Sequence, residues 1–149
     1  MRKQKVHSAA LKQKDFSPRP LDDESEIFHN GFFQFNITAL IQYIKENPND
    51  FPVEKISTGF YPVEFSSINE NHMESVVLGE PVILGEISPG RFNLIDGNHR
   101  MEKARRFGLD TIEAYRIDSI RLREFITTDR AYWSYVEYWN DKMDQAESK

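Results

Sequence analysis

Five consecutive residues, Asp96-Gly97-Asn98-His99-Arg100, combine the side chains and the backbone freedom that an anion site needs. Gly97 lets the chain approach a ligand closely because it has no Cβ. If a helix begins here, the N–H groups of Asn98, His99 and Arg100 lack intrahelical partners and carry the positive end of the helix dipole. Arg100 can clamp a phosphate with two parallel donors. His99 can donate one bond or, when neutral, act as a base. Asp96 is the one acid of the run, able to hold Mg²⁺, orient His99 or take the proton of an attacking hydroxyl. An Asx turn is its plain structural alternative, and Asp-Gly is by itself a hairpin signal. Asn98 offers no nucleophile.

The flanking residues supply the elements that would present this run. Arg91-Phe92-Asn93-Leu94-Ile95 alternates and favours a strand. Met101, Ala104 and Phe107 then recur at helical spacing, which predicts that all three face the core. Gly108 stands where a helix ends, and Thr111 to Ile117 alternates again as a second strand. Strand, tight turn, short helix, glycine and strand favour a phosphate site over an ordinary connection.

In this block the chain resembles the ParB/sulfiredoxin-like superfamily, whose members share a strand, a G-x-[HR]-R type turn, a helix with a central alanine, a glycine and a closing strand. Phe92 to Arg100, Ala104, Gly108, Ile112 and Ala114 carry the resemblance. Pro81-Val82-Ile83-Leu84 is similar to the family's Pro-Ile-x-Val strand, and Phe51 to Ile56 to its opening strand. The similarity spans about residues 51 to 118 and is specific in the Asp96–Gly108 block. It implies a nucleoside triphosphate or diphosphate bound through Gly97, Asn98, His99 and Arg100, with Mg²⁺ at Asp96. The Asp-Gly-x-His-Arg form is closest to the family's free-serine kinases, which use the motif aspartate and a glutamate soon after the first strand. Gly59-Phe60 stands where those enzymes carry His-Glu, leaving Glu64 or Glu70 as replacement acids. Sulfiredoxins need a cysteine where Asn98 stands. This chain has no cysteine, so that chemistry is excluded, as are thiolate zinc sites and disulfides.

A chain of 149 residues fits one domain with a real core. A formal charge of −5 argues against DNA as the partner, because DNA binders present a basic face. No apolar run approaches transmembrane length and no secretory pattern opens the chain, so the expectation is a cytoplasmic protein with no membrane contact. Charge is uneven. Arg2, Lys3, Lys5, Lys12, Lys14 and Arg19 are followed by Asp22, Asp23, Glu24 and Glu26, and residues 1–28 read as a flexible arm.

Residues 29–149 then form the domain, which starts folding near Phe32-Phe33-Gln34-Phe35. A helix is expected from Ile37 to Glu46, with Ile37, Leu40, Ile41 and Ile44 buried, Asn36 or Thr38 as cap and Asn47-Pro48 as stop. Strands follow at Val53–Thr58 and Pro81–Ile87, an extended piece at Tyr61–Phe65, a helix at Asn69–Leu78 and a turn at Ser88-Pro89-Gly90. Residues 119–149 read as a helical extension, with helices at Ile120–Ile126 and Asp129–Ala146, the second capped by Thr127 or Thr128. Tyr132, Tyr135, Val136, Trp139 and Met143 share one face of that last helix. Such a stripe is mostly core, with a protein partner as the alternative.

The expected fold is α+β, a small mixed ParB/sulfiredoxin-like sheet with helices. The expected function is nucleotide-phosphate binding, with Mg²⁺-dependent NTP hydrolysis or phosphotransfer through Asp96 and His99 as its catalytic form. The alternatives are a non-catalytic interaction module of antitoxin or immunity type on the same scaffold and, last because of charge, a ParB-like nuclease.

Overall fold

A computed structural model describes Leu11, residues 16–61 and residues 68–147. The fold is α+β. A hairpin of β1 (Ile27–Asn30) and β2 (Phe33–Asn36) leads directly into α1 (Ile37–Glu46). Asn36 caps α1 by accepting from the N–H of Ala39, and Pro48 opens the 3₁₀ turn that ends it. Then come β3 (Glu54–Ser57), α2 (Glu70–Met73), β4 (Val82–Ser88), β5 (Arg91–Asp96), α3 (Asn98–Arg106), β6 (Thr111–Ile117), α4 (Ser119–Leu122) and α5 (Asp129–Glu147). The larger sheet has the order β3-β6-β4-β5 and is mixed, with β4 parallel to β6 and the other pairs antiparallel. Among the described residues no helix is long and apolar enough to cross a membrane.

Burial follows from this layering. β4 is central and covered on both faces, so all seven of its residues are buried. On one face Val82 and Leu84 pack with Ile56, Ile112, Ala114 and the α3 residues Met101 and Ala104. On the other, Ile83, Ile95 and Ile117 meet α1, Leu122 of α4 and the stripe Tyr132, Tyr135, Val136 and Trp139 of α5. That stripe is core, as its spacing implies, so the same face cannot also be the expected partner surface. Gly85 lets the second layer close tightly. A Cβ there would sit 3.0 Å from both Ile95 Cδ1 and Leu122 Cδ2. The carboxylate of Glu86, fully buried, accepts from the backbone N–H groups of Gly90 at 2.9 Å and Ser119 at 3.0 Å. It thereby fixes the β4–β5 turn and the start of α4.

Several expectations from the sequence change. Phe107 is 66% exposed, not core. The helix ends at Arg106, and a step of six residues carries Phe107 about 120° around the axis from Met101. The expected helix at Asn69–Leu78 is a single turn, Glu70–Met73, followed by turns. The expected helix at Ile120–Ile126 is the short α4 followed by a 3₁₀ turn. The piece expected at Tyr61–Phe65 falls, beyond Tyr61, outside the described residues. The arm expected over residues 1–28 is anchored to the domain at some of its described residues, while residues 19–24 are exposed. Leu11 is buried, its N–H donates to Asn140 Oδ1 at 2.8 Å and its carbonyl accepts from Asn140 Nδ2 at 3.0 Å. Phe16 stacks on Tyr132 at 4.3 Å, the Arg19 guanidinium lies over Phe125, and β1 already begins at Ile27.

Candidate functional site

β5 ends at Asp96 and α3 begins at Asn98, so the whole reversal falls on Gly97. Its φ is +99°, and a Cβ would come within 2.5 Å of Val82 Cγ1. Only glycine fits, because a side chain would be strained by the backbone angle and would collide with the central strand. Gly97, the N-cap residue, has no side chain with which to cap α3. The first-turn amides of α3 are therefore oriented as a donor set at the positive end of the helix, beside a cavity of about 590 Å³. Asp96, Gly97, Asn98, His99 and Arg100 all line that cavity, so the five residues singled out in the sequence are brought together.

Their roles differ from one another. Arg100 turns back on its own helix and donates to Asp96 Oδ2 at 3.1 Å and to the carbonyl of Pro81 at 3.2 Å, with Glu80 at 3.8 Å. Its Nε–H is buried with no hydrogen-bond partner among the described residues. Burial pushes the Asp96 carboxyl above its usual range, against the pull of Arg100 and of the Gly97 N–H. Burial likewise raises Glu26, with Asp96 adding to the effect. Glu26, at the foot of β1, and Glu80, before β4, line the cavity as well. Neither stood out in the sequence, since nothing local ties an acidic run near residue 26 to a turn seventy residues later.

His99 is more constrained than its sequence context implies. The N–H of Asn69 donates to its Nε2 at 2.9 Å. The neutral ring therefore carries its proton on Nδ1, and its accepting nitrogen is occupied. Burial, followed by the neighbouring His72, holds its pKa below the ordinary value. His99 in this arrangement is a donor and not a base. His72, also unforeseen, meets it edge-on at 5.1 Å between ring centres and lines the same cavity.

The outer wall of the cavity is the segment around α2, strapped to α3 by polar ties. Lys103 donates to the carbonyls of Glu74 and Val76, and Arg106 forms a two-pronged pair with Glu70 at 2.7 and 2.8 Å. Glu70 is thus committed to holding the wall and is not a spare catalytic acid. Glu64 lies outside the described residues.

The residues fit a resident magnesium ion poorly. Asp96 is engaged by a guanidinium, which repels a cation, and among the described residues no group of three His, Cys, Asp or Glu side chains is placed to hold a metal. No protein-family model, curated protein or solved structure matches this chain.

Proposed function

We propose that this chain is a nucleotide-phosphate-binding protein of ParB/sulfiredoxin-like fold whose ligand sits at the N-terminus of α3. The observation that carries this reading is the start of α3 behind Gly97, which lines a cavity together with the Arg100 guanidinium and the Nδ1–H donor of His99. The unpartnered Nε–H of Arg100 supports it, because a buried donor without an acceptor costs about 1–3 kcal/mol that a ligand oxygen can recover.

The carboxylates of Glu26, Glu80 and Asp96 narrow the ligand. They line the same cavity and repel a bare polyphosphate. The ligand that fits is a nucleotide already complexed with Mg²⁺, its charge partly neutralised by an ion that the phosphates and not the protein hold. In a catalytic form Asp96 accepts the proton of a hydroxyl or water and Arg100 steadies the phosphate charge, giving hydrolysis or phosphotransfer.

The test is calorimetric titration with ATP, ADP, CTP and GTP, with and without Mg²⁺. At least one nucleotide should bind, more tightly with Mg²⁺. Arg100→Ala should weaken it by about 1.5–3 kcal/mol, the value of a charge-assisted hydrogen bond. Unchanged affinity in a folded Arg100→Ala variant refutes the assignment.

A second reading, a non-catalytic interaction module, is favoured by a different surface from the one foreseen. Phe60 at 73% exposure and Leu109 at 43% stand on loops joined by hydrogen bonds from Thr58 to Leu109 and Asp110, with exposed Phe107 at the adjoining end of α3.

A further inference from the structure

The Asp96–Arg100 pair lines two cavities, the one at the α3 N-terminus and a second of about 330 Å³, within the size range of small-molecule pockets. Ile41 and Ile44 of α1 and Tyr115 of β6 form the apolar walls of the second, and Glu26, Glu80 and Asp96 supply carboxylates beside the cations of Lys45 and Arg100. Glu26 borders both cavities. Its backbone is pinned to the start of α1 at two points. Its N–H donates to Thr38 Oγ1 at 2.8 Å, and its carbonyl accepts from the Ile37 N–H at 2.9 Å.

Resting on the phosphate reading above, we infer that the second cavity receives the base of the same nucleotide and that Glu26 selects a base bearing an exocyclic amino group. A nucleobase is apolar on its faces and polar along its edge, which matches isoleucine and tyrosine walls with charged groups beside them, and among the carboxylates Glu26 is the one not paired with Arg100. An ionised carboxylate only accepts hydrogen bonds. An amino group on the ring edge donates to it. A carbonyl in that place sets acceptor against acceptor, and the site loses the hydrogen bond that the amino group would give. The phosphates reach the α3 amides in one cavity while the base lies in the other.

The experiment compares ATP with ITP and CTP with UTP by calorimetry in Mg²⁺. Each pair differs along one edge, where an amino group beside an accepting ring nitrogen becomes a carbonyl beside a ring N–H. Inorganic tripolyphosphate reports the phosphate subsite alone. In the unaltered protein the amino member of at least one pair should bind about tenfold tighter or more. Glu26→Gln, whose amide both donates and accepts, should bring that pair to near equality, while tripolyphosphate, relieved of one repelling carboxylate, should bind at least as tightly as before. Equal affinities within both pairs in the unaltered protein overturn the inference, as does discrimination that survives Glu26→Gln. Tripolyphosphate binding as tightly as the nucleotides keeps the phosphate reading and removes the base subsite. If neither tripolyphosphate nor any nucleotide binds, the phosphate reading falls. Adenosine and cytidine then decide the rest. A preference for them over inosine and uridine that Glu26→Gln abolishes retains the subsite, and its absence removes it.

Discussion

The Asn69 N–H and His99 Nε2, thirty residues apart in sequence and 2.9 Å apart in space, fix the tautomer of the one imidazole at the helix start. Protonating His99 would set two N–H groups against each other, so the fold favours the neutral ring. The folded protein holds His99 below its ordinary value of 6.5, so just under that pH the unfolded chain binds more protons. Its stabilisation is complete above about 6.5 and is lost as pH falls through the folded pKa. NMR titration of the ring should give a midpoint below 6.5. His72→Gln should raise that midpoint, because His72 lowers it, and Glu70→Gln should lower it further, because Glu70 raises it. A midpoint above 6.5 contradicts the bond to Asn69.

Gly97→Ala tests the turn itself. The left-handed backbone and the contact with Val82 together should destabilise the protein by about 2–4 kcal/mol, combining a strained dihedral with overpacking. Urea denaturation measures this. A loss under about 1 kcal/mol would mean that the turn adopts another path.

Leu11→Ala and Phe107→Ala should behave oppositely to what local sequence implies. Leu11 is 4% exposed and its loss should cost about 2–5 kcal/mol, whereas Phe107→Ala should stay within about 0.5 kcal/mol. Equal effects in thermal or urea melts would refute the packing described for both.

Glu86→Ala removes an acceptor shared by two backbone N–H groups that lie far apart in sequence. Leaving the buried Ser119 N–H unsatisfied should destabilise by roughly 1–3 kcal/mol, while the N–H of exposed Gly90 can turn to water. The β4–β5 turn should also lose protection in hydrogen exchange. A near-neutral variant with unchanged protection would show that water reaches both amides.

The elements readable from sequence are those whose signals are local. α1 runs over Ile37–Glu46 as expected because Asn36 caps it, Pro48 stops it and its isoleucines keep one face. β6 matches at Thr111–Ile117 because alternation survives in a strand with one exposed neighbour per buried one. The Asp96–Arg100 turn was visible because glycine, acid and cation are contiguous. What escaped depends on distant chain. Glu26 and His72 reach the cavity only through tertiary packing. Leu11 and Phe16 sit in a stretch whose charges suggest solvation, yet both find partners on α5. Phe107 misled because spacing by threes drifts around a helix, so three such residues do not share a face.

The pairing of Leu11 with Asn140 spans 129 positions of the chain. During synthesis at about 5–20 residues per second, the segment containing Leu11 waits on the order of ten seconds before its partner exists. Until then the apolar surfaces of β4 and the hairpin that α5 will cover stay open. The core therefore closes last at the seam between its earliest and latest residues. A chaperone that shields exposed apolar chain has its longest opportunity on the α5-facing layer, while the α3-facing layer, complete once β6 is made, is already shut.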